Sequence, residues 1–407
     1  MHGTKIGRII CGAAASLLLC LALSGCEKQE LEARYSVLIY LAGDNSLSYY
    51  GRDCFDQLRA GYIPSSDKYG DILMVFYHIA GGVPTLSRFY KDSHDNLREE
   101  VIASFSEDLA SGTTEVFSRV LEDAERAYPA KRHGLVLWSH ATGFLPAGYY
   151  NDPQEINYSR SELPPVDPYA EYVREPIDCQ VRSFAMDSRD NEMEIGDLAS
   201  ALVEHYDFIL TDCCLMGGVE VAYELKDKCD YIVFSPTEIM AKGFPYETMM
   251  DYVFNGGDTE QAMVKIASDY YEYYEAQQGT NRSATVSVVR TAALESLAAV
   301  CREIFSEHRS QITSVNTNRV QQYFRFNKHW FYDLGDFVSC LATTSQYERF
   351  EAALDDVLAY KNATQKFISI VINKYSGLST YIPNPGYTYL NNYYRHLAWN
   401  KAAGLVE

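Results

Sequence analysis

Five short apolar runs constrain what this chain can fold into more than any other feature. They are "YSVLIYLA" (35–42), "DILMVFYHIA" (71–80), "HGLVLWSH" (133–140), "DFILTDC" (207–213) and "DYIVFSP" (230–236). Each is near-continuous rather than alternating, rich in Val, Ile, Leu and aromatics, and bounded by turn residues, as strands buried on both faces are. Segments with a helical period lie between them: "SLSYYGRDCFDQLRAGY", "GTTEVFSRVLEDAERAY", "EIGDLASALVEHY" and "LMGGVEVAYELKDKC". Strand and helix alternate. The order predicts an α/β fold with a mostly parallel central sheet and helices on both faces.

Two stretches break the alternation. Residues 144–183, including "FLPAGYYNDPQEINYSRSELPPVDPYAEYVREP", are rich in Pro, Tyr and charge without a period, and loops of that length are usually functional. From residue 258 a long helical pattern, "DTEQAMVKIASDYYEYYEAQQG", leads into "ATVSVVRTA" and "FISIVINKYSGLSTYIPNP". The expected organisation is a main domain over 35–257 that contains the 144–183 loop. A smaller, mainly helical subdomain over 258–407 is expected to return one or more strands to the core.

The N-terminus has a different character. Lys5 and Arg8 precede an apolar run from Ile9 to Leu23, too short for a spanning helix and patterned as an export signal. It ends in "LSGC", which resembles the lipobox of bacterial lipoproteins, with Cys26 as the acylated first residue of the mature chain. Residues 1–25 are then the signal and 26–34 a polar tether. The reading is an exported lipoprotein held on the cell envelope, at the outer membrane, by its lipid anchor.

Removing the signal deletes Lys5, Arg8 and no acid, which takes the net charge from −20 to −22. A field of that sign argues against nucleic acid as a partner. Of ten cysteines, Cys11 and Cys20 leave with the signal and Cys26 is the lipidation site, so seven remain. An odd number without a CxxC pair or a regular spacing points to neither a disulfide scaffold nor a zinc site, and no metal or cofactor is expected.

In an open parallel sheet ligands bind beyond the carboxyl ends of the strands. Two of the runs end in reactive groups there. "LVLW" continues into Ser139-His140-Ala141-Thr142-Gly143, and "FIL" into Thr211-Asp212-Cys213-Cys214-Leu215-Met216-Gly217. Neighbouring strands would place a histidine and a cysteine on one rim, as a thiol nucleophile and its base require. Spacing alone leaves open that both are ordinary core residues.

These residues also carry a resemblance. "VLWSHATGF" resembles the Trp-x-His-Gly-x-Gly-Trp region of the clostripain family, and "DCCLMGGVE" is similar to its Asp-Ala-Cys-Leu-Met-Gly segment. "YSVLIYLAGDNSL", "YDLGDFVSCL" (332–341) and "GLSTYIP" (377–383) match further segments in the same order. The resemblance implies a caspase-like fold and a cysteine endopeptidase with His140 as general acid–base and a cysteine thiolate as nucleophile.

The family alignment puts the nucleophile at Cys214 and Cys213 in the place of an alanine. Adjacent side chains leaving a strand diverge, so one of the two faces His140. Cys214 is also expected to open the helix-like run "LMGGVEVAYELKD", where the helix dipole would favour the thiolate. The backbone N–H groups of Cys214 and Ala141 are the expected oxyanion donors. Ala141 and Phe144 depart from the family's glycine and tryptophan, and alanine is costly if that position needs positive φ.

The resemblance further implies that Asp212 lies in the primary specificity pocket and selects Arg or Lys before the cleaved bond. Partners would then be peptides and proteins carrying those residues. Asp212 as the cap of the following helix is the structural alternative. Family members mature by self-cleavage in the region of the 144–183 loop, which makes Arg160, Arg174 and Arg182 candidate sites, Arg160 foremost. A degenerate caspase-like lipoprotein that binds peptides without cleaving them is the alternative function. A glycan-binding role would rest only on the tyrosine clusters.

Overall fold

In a computed structural model of the chain, residues 32–153, 184–185, 187–188 and 191–407 are described. Cys26, Arg160, Arg174 and Arg182 lie outside the described residues, as does most of the 144–183 loop.

Five strands form the parallel centre: β1 (Tyr35–Gly43), β2 (Asp71–Ile79), β5 (His133–Trp138), β6 (Tyr206–Asp212) and β7 (Cys229–Phe234). Antiparallel strands extend it on both sides: β3 (Thr85–Lys91) and β4 (Leu97–Ser104) beyond β2, β8 (Thr285–Arg290) and β9 (Leu358–Ala363) beyond β7. The order across the nine-stranded sheet is β9-β8-β7-β6-β5-β1-β2-β3-β4.

The predicted class is correct, and the apolar runs fall on the central strands. The strands that sequence reading passed over, β3, β4 and β9, lie in the outer part of the sheet. β4 and β9 are half exposed along their length, so their sequences carry polar residues and little of the continuous apolar signal.

Every central strand buries both faces. Along β1, Val37, Ile39 and Leu41 enter one core, and Leu38, Tyr40 and Ala42 the other. The first core is closed by α1 (Ser48–Ala60), α5 (Tyr246–Asn255) and α6 (Thr259–Glu275), the second by α2 (Thr114–Ala127), α3 (Ile195–Ala201), α4 (Val219–Leu225), α7 (Leu294–Glu307) and α8 (Thr344–Val357).

Local chemistry sets the helix starts. Thr113 caps α2 through Val116 N–H, Asp258 caps α6 through Gln261 N–H, and Thr343 with Gln346 forms a capping box on α8. In α2 the buried residues are Phe117, Val120, Leu121 and Ala124, one stripe at helical spacing. Residues Ala33–Glu407 form one compact unit, and among the described residues no helix is long and apolar enough to cross a membrane.

Candidate active site

Register brings the two reactive segments together. β5 and β6 are parallel neighbours with Trp138 opposite Asp212, so His140 and Cys214 each follow two residues beyond a paired position. Both line a cavity of about 320 Å3 at the carboxyl ends of the strands, together with Asp212 and the 238–243 segment that follows β7.

The two cysteines differ sharply. Cys213 is 1% exposed, its thiol donates to the Leu137 carbonyl at 3.3 Å, and burial pushes its pKa well above the ordinary value. That is a packed core thiol. Cys214 is half-buried, and the Ile239 backbone N–H donates to its sulfur at 3.4 Å. The same thiol donates to the Ile239 carbonyl at 3.8 Å, so one residue of the 238–243 segment holds the sulfur from both its amide and its carbonyl.

Cys214 does not open a helix, contrary to the sequence expectation. α4 starts only at Val219, and residues 215–218 are drawn instead into strand-like contacts. Leu215 N–H donates to the Thr237 carbonyl at 2.9 Å, Gly217 N–H to the Ser235 carbonyl at 2.7 Å, and Ser379 N–H to the Gly217 carbonyl at 2.9 Å. Leu215 takes φ +62, and a Cβ on Gly217 would lie 2.3 Å from Pro236 N, so only glycine permits the approach. The polarity beside the sulfur is therefore supplied by Ile239 and not by a helix end.

His140 is 1% exposed, and Ser46 Oγ, on the turn after β1, lies 3.0 Å from its Nε2. The hydroxyl fixes the ring by that nitrogen. The "GDNS" turn is plain in the sequence, but nothing in the sequence pairs its Ser46 with His140. Ala141 is fully buried without positive φ, so its departure from the family glycine carries no backbone strain. Gly143 is the residue at φ +62, where a Cβ would come within 2.4 Å of the Leu215 carbonyl oxygen. Phe144 packs edge-on against Phe331 and Tyr394.

Asp212 ends β6 on the cavity wall, 4% exposed, and caps no helix. Its Oδ2 accepts from Phe244 N–H and from the Tyr246 hydroxyl, both at 3.1 Å. Burial raises its pKa from 3.8 to about 7, against the lowering effect of those donors. Gly243, at φ +65, passes directly over it, and a Cβ there would meet Oδ2 at 2.2 Å. A second carboxylate, missed in the sequence, also lines the cavity: Glu238, paired with Arg325.

No disulfide links the six cysteines among the described residues. Among the same residues no group of acids, histidines and cysteines is arranged to hold a metal.

The clostripain family model matches residues 39–162 and 170–403. The chain belongs to the clostripain family. It is a cysteine peptidase with a caspase-like α/β fold. An inactive zymogen C11 protease from Parabacteroides distasonis is 34% identical over 92% of this chain and 99% of its own, with a TM-score of 0.74. A secreted C11 cysteine protease from Bacteroides thetaiotaomicron, solved with an irreversible peptide inhibitor, is 27% identical over 91% of this chain and 99% of its own, with a TM-score of 0.73. A comparison with curated protein sequences gives no significant match.

Proposed function

We propose that this clostripain-family peptidase hydrolyses peptide bonds on the carboxyl side of Arg or Lys, with Cys214 as nucleophile and His140 as general acid–base. The observation that carries this reading is the buried Asp212 carboxylate on the wall of the same cavity as His140 and Cys214. In a cleft partly closed to water a carboxylate selects a guanidinium or ammonium group over neutral side chains.

In this mechanism Ser46 holds the imidazole while His140 takes the thiol proton. The thiolate attacks the scissile carbonyl, the oxyanion is met by backbone N–H groups of Cys214 and Ala141, and His140 returns the proton to the leaving amine. Water then enters with His140 as base and releases the acid, freeing the thiol. The test uses Arg-, Lys- and Leu-terminated fluorogenic amides with the mature protein, with and without a thiol alkylator. Turnover confined to the basic series and lost on alkylation supports the reading, and equal turnover of the Leu series overturns the specificity.

Two further proposals rest on sequence alone. Export followed by acylation at Cys26 would anchor the enzyme on the envelope, and Cys26→Ser would then release it from the membrane fraction. Activation is proposed to involve self-cleavage, foremost after Arg160, with Arg174 and Arg182 as alternatives. Intact mass decides this: the wild type should yield two fragments where Cys214→Ala stays whole, and a fully active uncut wild type excludes it.

A further inference from the structure

The cavity holds an ion pair that none of the catalytic steps uses. Arg325 Nε donates to Glu238 Oε2 at 2.6 Å and Nη2 lies 2.5 Å from the same oxygen, with the two side chains 11% and 10% exposed. Both line the cavity beside Cys214 and Asp212, and Glu238 directly precedes Ile239, whose amide meets the nucleophile's sulfur. A nearly buried ion pair is a poor device for stability, because desolvation offsets most of its attraction.

A tight turn delivers Arg325. Phe326 and Asn327, immediately after it, take φ +55 and +59 as the central pair of a tight turn closed by Lys328 N–H to the Arg325 carbonyl oxygen at 3.1 Å, and Phe is an uncommon residue for such a position. Phe326 is 69% exposed, so no buried contact of its ring accounts for that conformation. Its ring lies over the Arg325 guanidinium, 4.7 Å to the ring centre.

We propose that Glu238 is a second acidic subsite of the cleft, one that takes a further basic side chain of the substrate, and that Arg325 is its resident occupant, displaced when such a substrate binds. The inference rests on the reading of the enzyme as specific for basic residues. Arg325 presents to Glu238 the guanidinium that a substrate arginine would bring, so its removal exposes selectivity that the wild type masks. A substrate with two basic residues competes with Arg325, and one with a single basic residue does not.

The test compares Arg325→Ala, Arg325→Lys and the volume-keeping double variant Glu238→Gln/Arg325→Met with wild type. Peptide amides carry one extra arginine at the second, third or fourth residue before the bond, or none, in an Arg-terminated and a Leu-terminated series. For one position of the extra arginine, Arg325→Ala should raise the two-arginine to one-arginine ratio of kcat/KM by about tenfold, the scale of one charge-assisted contact. Arg325→Lys should stay near wild type, and the double variant, which leaves no buried carboxylate unpaired, should lose the gain. A ratio unchanged at every position in whichever series is turned over overturns the Glu238 subsite. Turnover of the Leu series alone counts separately, against Asp212. Should Arg325→Ala fail to fold, the double variant against wild type decides: a two-arginine preference equal in both also overturns the subsite.

Discussion

At the scale of single residues, two adjacent cysteines have been given opposite environments. Burial shuts the Cys213 thiol away and pushes it from ionisation, whereas Cys214 is half-buried at the cavity wall, with the Ile239 amide and carbonyl against its sulfur. Cys214→Ala is therefore expected to abolish turnover while Cys213→Ala retains most of it, read as initial rates on a basic amide. Full activity in the Cys214 variant would sink the assignment. His140→Ala should lower kcat by at least about 10²-fold, the usual scale for a lost general acid–base group.

Asp212 predicts a pH dependence. Its folded-state pKa is raised to about 7, so the charge that would recognise a basic side chain in the proposed specificity appears as pH rises through that value. kcat/KM on Arg amides should climb across neutrality, and Asp212→Asn should remove that limb together with the basic preference. The stability effect has the opposite sign. Because the folded carboxyl binds its proton more tightly than the unfolded one, folding stability falls as pH rises from 3.8 towards 7. Asp212→Asn is freed of that penalty and still offers an oxygen to Phe244 N–H. Its melting temperature at pH 8 should not fall, and a collapse there would make Asp212 structural.

At the scale of elements, the site is made by connections rather than by strands or helices. The loop after β5 and the turn after β6 touch through Gly143 and the Leu215 carbonyl oxygen, the approach a Cβ would block at 2.4 Å. Gly148 also has positive φ, +75, but a Cβ added there would meet nothing within 4 Å. Gly148→Ala should thus lose only the conformational part, about 1–2 kcal/mol. Gly143→Ala should lose more and should lower kcat besides, because it pushes the His140 loop off the Cys214 turn. Denaturant melts and kcat measured on both variants check this, and equal effects would refute the coupling.

At the scale of the whole molecule, the C-terminal third is tied to the turn that carries Cys214 through one fully buried carboxylate. Glu220, on α4, accepts at Oε1 from the Tyr394 hydroxyl (2.6 Å), Thr380 Oγ1 (2.9 Å) and Tyr381 N–H (2.9 Å). Two residues before α4, Gly217 receives the Ser379 N–H. Glu220→Ala strands those buried donors and should destabilise the fold by about 2–4 kcal/mol. Glu220→Gln, which keeps an acceptor, should lose less. Chemical denaturation of the two variants measures the difference, and an alanine variant as stable as wild type would show that the tie carries nothing.

The sequence by itself determined what is local or periodic. Short continuous apolar runs rich in β-branched and aromatic residues and bounded by turns fit strands covered on both faces, and their alternation with helical segments favours parallel neighbours, so the central sheet and the reactive strand ends were legible. That His140, Cys214 and Asp212 would share one rim was legible because each lies at or just past a strand end, while the roles proposed for them came from the clostripain resemblance. The start of α4 was misread because "LMGGVEVAYELKD" has helical propensity throughout, whereas the Thr237 and Ser235 carbonyls claim Leu215 and Gly217 for another pairing. The tertiary structure alone decided which amide meets the Cys214 sulfur, which hydroxyl holds His140 and which arginine enters the cavity. Ser46 stands 94 residues from His140 and Arg325 stands 87 from Glu238. Contacts at such separations arise from how whole elements pack, and packing leaves no period in the chain for a reader to find.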